Sequence, residues 1–318
     1  MSKGKTEIPE LSTDHNDADN YHVPVLLKET VEGLNIKPDG VYVDCTFGGG
    51  GHSREILKCL NEKGKLFAFD QDADAVQNIP NDHRVIFVPQ NFRHLVRFLR
   101  LHQVTNVDGI LADLGVSSHQ FDEADRGFSI RFNANMDMRM DRRQSRTAFD
   151  ILQQYSELQL HKMFEKYGEV TNAKTLAKRI VDIRNSVSLK TIDSFKNALR
   201  DIVKGNPNKY FAQVFQALRM EVNEEMQVLK EMLEQSGSLL TEGGRIAVIT
   251  FHSIEDRLVK NFFKEGSFEM ADDNPFISVR KEKVFRIITK KPVTASAEEL
   301  KINSRSRSAK LRVAERLG

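Results

Sequence analysis

A chain of 318 residues with 40% hydrophobic content is long enough for one large domain, or a domain with an insertion, around a substantial core. Lys plus Arg number 47 against 45 for Asp plus Glu, so the net charge of +2 sets no strong bias toward an acidic or a basic partner for the chain as a whole. Two cysteines without a CxxC pair argue against a disulfide framework or a zinc site, and neither a secretory apolar region nor a run approaching the ~18 residues of a membrane helix occurs; a soluble cytoplasmic protein without a metal is expected.

Residues 1–20 are polar, acidic and aperiodic, and read as a disordered extension. A helix is expected over Lys28–Leu34, after which short apolar runs alternate with amphipathic stretches. Strands are expected at Val41–Cys45, Lys65–Phe69, Val85–Pro89, Val107–Asp113 and Arg245–Phe251, with helices at Ser53–Leu60, Ala73–Ile79 and Phe92–Leu101. Strand alternating with helix predicts an α/β fold with a mostly parallel sheet covered on both faces. The alternation breaks after Asp113: residues 117–145 are polar and 148–204 have helical periodicity. Gly205-Asn-Pro-Asn is a turn, a long helix over Tyr210–Gly237 brings the chain back, and Glu242-Gly-Gly turns it into the last sheet strand. The expected organisation is a discontinuous sheet domain, 21–116 and 210–318, interrupted by a helical insertion at 117–209. Charge is uneven along this plan. Residues 280–318 carry twelve Lys or Arg against four Glu, which points to a polyanionic partner or to a solvated tail.

The most informative stretch is Val41-Tyr-Val-Asp44-Cys-Thr-Phe-Gly48-Gly-Gly-Gly51-His52-Ser53, a strand feeding a glycine turn into a helix. Such a turn lets the backbone approach a nucleotide-like ligand. A phosphate loop needs Gly-Lys-Ser/Thr where Gly51-His52-Ser53 stands, and a dinucleotide fingerprint starting at Gly48 needs glycine where Ser53 stands. The spacing Asp44-x-x-x-Gly48-x-Gly50 is that of S-adenosylmethionine sites; a tight turn with no ligand is the alternative. Asp70 ends the next strand about 20 residues after the glycine loop, in register for an acid that binds ribose hydroxyls. Phe92, after the third strand, is placed to pack on an adenine face or in the core. Asp113 ends the fourth strand, where a carboxylate faces the crevice beside a transferred group, and Gln120 follows with polar contacts to offer. His252, after the fifth strand, either lines the crevice or precedes a helix that Ser253 and Asp256 cap and charge. Asp137, Arg139 and Asp141 order their loop by ion pairing or touch a nucleic acid, and Arg131, Arg142, Arg143 and Arg146 add positive charge there.

Several collinear motifs now come together. Thr46-Phe-Gly-Gly-Gly-Gly-His52-Ser, Ala112-Asp-Leu-Gly-Val-Ser-Ser118, Arg126-Gly-Phe-Ser129, Asp137-Met-Arg-Met-Asp141, Phe215-Gln-Ala-Leu-Arg219 with Val222-Asn223, Ile249-Thr-Phe-His-Ser-Ile-Glu-Asp-Arg257 and Ser306-Arg-Ser-Ala-Lys-Leu-Arg-Val-Ala-Glu315 closely resemble the bacterial RsmH (MraW) family from about Tyr21 to Arg316. The resemblance implies a class I Rossmann-like methyltransferase that uses S-adenosylmethionine to methylate the N4 amine of a cytidine in the decoding region of small-subunit (16S) rRNA. It implies cofactor contacts at Gly50, Gly51, His52, Asp70, Phe92, Asp113 and Gln120. His119 and Asn135 stand where the family usually has Pro, and neither change removes a polar contact residue.

The N4 amine is a poor nucleophile because its lone pair is delocalised, so Asp113 is expected at the junction, binding cofactor, orienting the amine, or both. The helical insertion and the Arg305–Arg316 segment are expected to bind the rRNA backbone, as naked RNA or as the 30S particle. Leu311 and Val313 alternating with Arg312 equally describe a strand packed on the sheet. The long amphipathic helices offer a homodimer surface or cover the sheet. Two rival functions are an NAD-dependent oxidoreductase, which the missing third glycine disfavours, and a non-catalytic ribosome-assembly factor that keeps the cofactor pocket.

Overall fold

The computed structural model describes residues 24–268 and 283–318; the expected disordered segment 1–20 lies outside the described residues. Seven strands, β1 (Val41–Asp44), β2 (Lys65–Phe69), β3 (Val85–Val88), β4 (Val107–Asp113), β5 (Leu240–Thr250), β6 (Phe285–Ile287) and β7 (Lys310–Arg316), form one sheet in the order β3-β2-β1-β4-β5-β7-β6. The first five pair in parallel, and β7 runs antiparallel between β5 and β6. The strand order reverses between β1 and β4, and at such a switch point the connecting loops diverge and leave a crevice at the carboxyl ends. Asp44 and Asp113 end those two strands.

Alternate side chains of each strand face opposite sides of the sheet. Val43, Phe67, Ile110 and Val248 pack on one side with Met232, Leu233 and Phe262; Tyr42, Leu66, Leu111 and Ile249 pack on the other with Leu26, Ile56 and Leu57. Both faces are therefore dry, which is why these strands read as continuous apolar runs rather than as polar–apolar alternation. A third core forms within residues 128–222, from helices Ala148–Gln154, Glu157–Gly168, Ala173–Ile183, Ile192–Ala198 and Pro207–Val222. This core takes in helix Pro207–Val222, which crosses the boundary expected at 209/210.

Four local expectations need correction. The helix expected over Tyr210–Gly237 is two helices, Pro207–Val222 and Glu225–Leu239, separated by Asn223 and by Glu224 at φ 50°. Residues 73–78 and 92–94 form 3₁₀ turns, because Asp72 and Asn91 accept from the amides two residues on and tighten the start. The Glu242-Gly-Gly turn interrupts a strand that has already begun at Leu240; pairing slips between Val107 and Gly109, and Gly243 takes φ 76°.

The fourth correction concerns the basic carboxyl-terminal segment. Residues Lys310–Arg316 are an interior strand whose charges are answered within the fold, the strand alternative rather than a solvated tail. Arg312 Nε donates to Asp256 Oδ1 at 2.6 Å and Arg245 Nε donates to Glu315 Oε2 at 3.0 Å, while Arg316 Nε donates to the Gly237 carbonyl at 2.9 Å. Arg286 pairs with the other oxygen of Glu315. The alternation of Leu311 and Val313 around Arg312 carried this information.

Candidate active site

The glycine turn is held from below by Asp44. Its Oδ1 accepts from the Thr46 amide at 3.1 Å and its Oδ2 from Ser53 Oγ at 2.7 Å, so one buried carboxylate grips both ends of the loop. Burial raises its pKa to about 6 against these two bonds. Gly48 at φ 51° and Gly50 at φ 72° need the left-handed conformation that other residues rarely adopt. At Gly51 a Cβ would lie 2.2 Å from Pro24 Cγ. The loop backbone is thus pressed between the sheet and the amino-terminal segment, and it opens helix Gly51–Cys59.

A cavity of about 790 Å³ opens above this loop at the switch point. Gly51, His52, Asp70, Phe92, Asp113 and Gln120 all line it; Gly50 does not, and instead starts the helix, with the Phe47 ring where its Cβ would be. Asp70 fixes the next turn: Oδ2 accepts from the Gly48 amide at 2.7 Å and Oδ1 from the Asp72 amide at 2.8 Å, while burial lifts its pKa to about 6. Each of its oxygens retains a further lone pair for a ligand hydroxyl. Gln120 spends its amide on the scaffold: Oε1 accepts from the Ser117 amide at 3.1 Å and Nε2 donates to Asp72 Oδ2 at 2.7 Å. His119 Nε2 lies 3.2 Å from Asp74 Oδ2, and Asn135 bridges to Thr191.

Asp113 is the electrostatic centre of the cavity. Its amide donates to Thr46 Oγ1 at 2.7 Å, but its carboxyl Oδ1 is buried without a hydrogen-bond partner. Burial first, then the negative charges of Asp44 and Glu255, push its pKa up to about 8, so it is mostly protonated at neutral pH. His52 Nε2 lies 3.1 Å from the Val25 carbonyl, which can only accept, so Nε2 carries the proton and the bare Nδ1 faces Asp113 Oδ2 at 3.9 Å. Burial lowers the His52 pKa to about 4, which keeps the ring neutral.

The cavity is also lined by residues that sequence reasoning had not assigned to the site. Arg219, Glu225 and Glu255 enter it from helices Pro207–Val222, Glu225–Leu239 and Ser253–Glu265, Met140 from a loop and Arg305 from the 3₁₀ turn Ser304–Ser308. Arg219 Nε and Nη2 donate to Glu225 Oε1 and Oε2 at 2.7 and 2.9 Å. The motifs around Arg219 and Glu255 were visible in the sequence, but their convergence depends on the helix break at Asn223. His252 is the helix N-cap, accepting from the Glu255 amide at 3.3 Å, and is not among the lining residues. The cap is therefore His252 itself, and Ser253 is the first helical residue. Ligand atoms of Glu225, His252 and Glu255 fall within 4.8 Å of one another, with the Arg219 guanidinium already seated on Glu225.

The charged loop at 131–146 is mostly self-paired. Arg139 Nε donates to Asp137 Oδ1 at 2.7 Å and Arg143 Nε to Asp141 Oδ1 at 2.8 Å. Arg131 Nη2 donates to Asp122 Oδ1 at 3.3 Å, Arg146 reaches the Glu221 carbonyl at 3.3 Å, and Arg142 is exposed. Arg305 pairs with Asp122 at 2.8 Å over the Phe121 ring, at the cavity wall. Both cysteines are free, and no described helix is long and apolar enough to cross a membrane.

Comparison with known proteins agrees with this architecture. The model of the MraW methylase family matches residues 19–317. The ribosomal RNA small subunit methyltransferase H of Azobacteroides pseudotrichonymphae is 53% identical over 298 residues, covering 93% of this chain and 98% of that one. Its counterpart in Cytophaga hutchinsonii is 53% identical over 299 residues, with 93% and 99% coverage, and that of Flavobacterium psychrophilum is 52% identical over 292 residues, with 92% and 100%. The chain belongs to the MraW methylase family.

Proposed function

We propose that this protein methylates small-subunit rRNA with S-adenosylmethionine, and that its target is the N4 amine of a cytidine in the decoding region. The observation that carries the reading is Asp113, which lines a cavity shared with Asp70 at the switch point and whose Oδ1 is buried with no hydrogen-bond partner among the described residues.

The residues present fit the cofactor. The backbone of Gly48, Gly49 and Gly51 lines the cavity and suits a close-lying amino-acid tail, and Asp70 stands where a ribose would end. About 790 Å³ exceeds the needs of one nucleoside and leaves room for a base. Gly51 and His52 would hold the tail, Asp70 the ribose and Phe92 the purine. The bound cofactor supplies a methyl group on a positively charged sulfur.

Asp113 then has two tasks. As an acceptor it takes an N–H of the amine, which localises the nitrogen lone pair and fixes its direction. As the nitrogen gains a methyl carbon it must lose that proton, and the Asp113 carboxylate, a quarter exposed at the cavity wall, is there to take it. A cation beside Asp113 lowers its pKa, so the carboxylate forms when the site is loaded. His52 holds the other oxygen's side of the pocket with a neutral ring, leaving the carboxylate uncompensated by any protein cation on that side.

The target base must be unpaired or splayed out, because pairing buries N4. We assign recognition to the helical insertion at 117–209, with helix Pro207–Val222 packed on it, and to exposed cations such as Arg142 and Arg307. Naked rRNA and the 30S particle are both candidate substrates, and the cytoplasm is the compartment that holds them. Incubation of each with S-adenosylmethionine labelled in its methyl group, followed by digestion to nucleosides, tests the reading. Label in N4-methylcytidine supports it. Label on a ring carbon contradicts the N4 assignment, and cofactor binding without label favours an assembly factor.

A further inference from the structure

Arg126, in the Arg126-Gly-Phe-Ser129 motif, has its side chain only 1% exposed, although it carries a full charge. Burying a guanidinium is costly unless every donor is answered. Nη1 lies 2.8 Å from Asp72 Oδ2 and 3.0 Å from Asp74 Oδ2, while Nη2 donates to the carbonyls of Arg139 and Met140 at 3.1 and 3.0 Å. One side chain thus ties the turn after Asp70 to the strap at residues 137–141.

Asn223 holds the same strap from the opposite side. Its Oδ1 accepts from the Met140 amide at 2.7 Å and its Nδ2 donates to the Met138 carbonyl at 2.8 Å. Both main-chain groups of Met140 are therefore fixed by buried side chains, and its own side chain, 7% exposed, lines the cavity. Gln71 Nε2 donates to Met140 Sδ at 3.4 Å, and Gln71 Oε1 accepts from Asn91 Nδ2 at 2.7 Å. Met140 accordingly stands beside Gln71, at the part of the cavity lined by Asp70, Asn91 and Phe92.

We propose that Met140 is a wall of the purine subsite, contributed to the cofactor pocket by the insertion, and that Arg126 and Asn223 are positioning residues that hold it there. The inference rests on the cofactor reading given above. Its chemistry is simple: a flat apolar ring beyond an anchored ribose gains from a polarisable, adaptable thioether. It also makes the cofactor site incomplete without the strap, so the two parts of the molecule share one ligand.

Calorimetric titration of the full-length protein with S-adenosylhomocysteine and with methylthioadenosine, which keeps the nucleoside and lacks the amino acid, tests this. Met140→Ala leaves the strap's main-chain bonds intact, so it should weaken both ligands by the same factor, about tenfold, the loss expected of one buried apolar contact. Met140→Leu conserves volume and should stay within about threefold of the parent for both. Arg126→Lys cannot serve four acceptors and should also weaken both ligands; adding Met140→Ala to it should cost less than in the parent, because the two act through one contact. Unchanged affinities in a folded Met140→Ala protein would overturn the inference, as would a loss confined to S-adenosylhomocysteine, which would place Met140 at the amino-acid end. If the parent protein binds neither ligand, the cofactor reading itself falls and takes this inference with it.

Discussion

His52 Nδ1 lies 3.9 Å from Asp113 Oδ2, with the imidazole proton committed to the Val25 carbonyl on the far side of the ring. Two groups that often form an ion pair are here a neutral base and a largely neutral acid, both set by burial. The site is poised to ionise only when a cation arrives.

That arrangement predicts a proton count. Asp113 is protonated at pH 7 with a pKa of about 8, and a positively charged sulfur beside it favours the carboxylate. Calorimetry at pH 7 in buffers of different ionisation enthalpy should show more proton release on binding S-adenosylmethionine than on binding uncharged S-adenosylhomocysteine. The difference should approach one proton and vanish in Asp113→Asn. Equal release from both ligands would remove Asp113 from the neighbourhood of the sulfur.

The same groups shape stability against pH, with opposite signs. Asp113 is raised from 3.8 to about 8, so between those values the folded state holds a proton that the unfolded state has lost, and stability falls as pH rises through the window. His52 is lowered from 6.5 to about 4, so the unfolded state binds the extra proton there and stability rises with pH across that interval. Asp113→Asn removes the first contribution alone. Its melting temperature relative to the parent should therefore climb between pH 5 and pH 8 and level off above. A constant gap would show that Asp113 titrates normally.

Ser53→Ala leaves the buried Asp44 carboxylate with one hydrogen bond fewer, at the point where the strand, loop and helix meet. Chemical denaturation should show a loss of about 1–3 kcal/mol, the cost of an unanswered buried acceptor. Cofactor affinity should fall with it, since the glycine loop loses one of its two bonds to Asp44. Unchanged stability would mean that Asp44 does not depend on this bond.

Arg312→Ala tests the structural reading of the carboxyl-terminal strand. It leaves Asp256 with Lys310, at 3.6 Å, as its remaining cation. Destabilisation of about 2 kcal/mol is expected, less than the ~3–5 kcal/mol of a wholly isolated buried charge. The salt dependence of RNA binding should not change, because the guanidinium is turned inward. A shallower salt slope with full stability would restore the phosphate-binding role.

How much of this was legible in the sequence follows from how local each signal is. β1 to β5 could be read because parallel strands buried on both faces are continuous apolar runs, and their carboxyl ends automatically collect Asp44, Asp70 and Asp113. β6 was not read and β7 stayed one of two alternatives, because Arg312 and Glu315 are buried and paired with partners far away in the chain. The break at Asn223 was invisible because its reason is tertiary, a side chain spent on the strap at residues 138–140. Met140, Arg219 and Glu225 were missed on the same ground, since their place in the cavity depends on that break. Gly50 shows the converse, a conspicuous motif residue whose observed work is a helix start.

The central claim is that Asp113 acts on the amine as well as beside the cofactor. Single-turnover methyl transfer to small-subunit particles, with Asp113→Asn saturated by S-adenosylmethionine and its cofactor affinity measured on the same preparation, addresses it most directly. The account predicts a rate at least ~100-fold below the parent, within the range of a lost general base, with S-adenosylmethionine affinity lowered by only about tenfold, the loss that the missing carboxylate–cation attraction entails. Equal losses in rate and affinity would reduce Asp113 to a cofactor ligand and contradict the account.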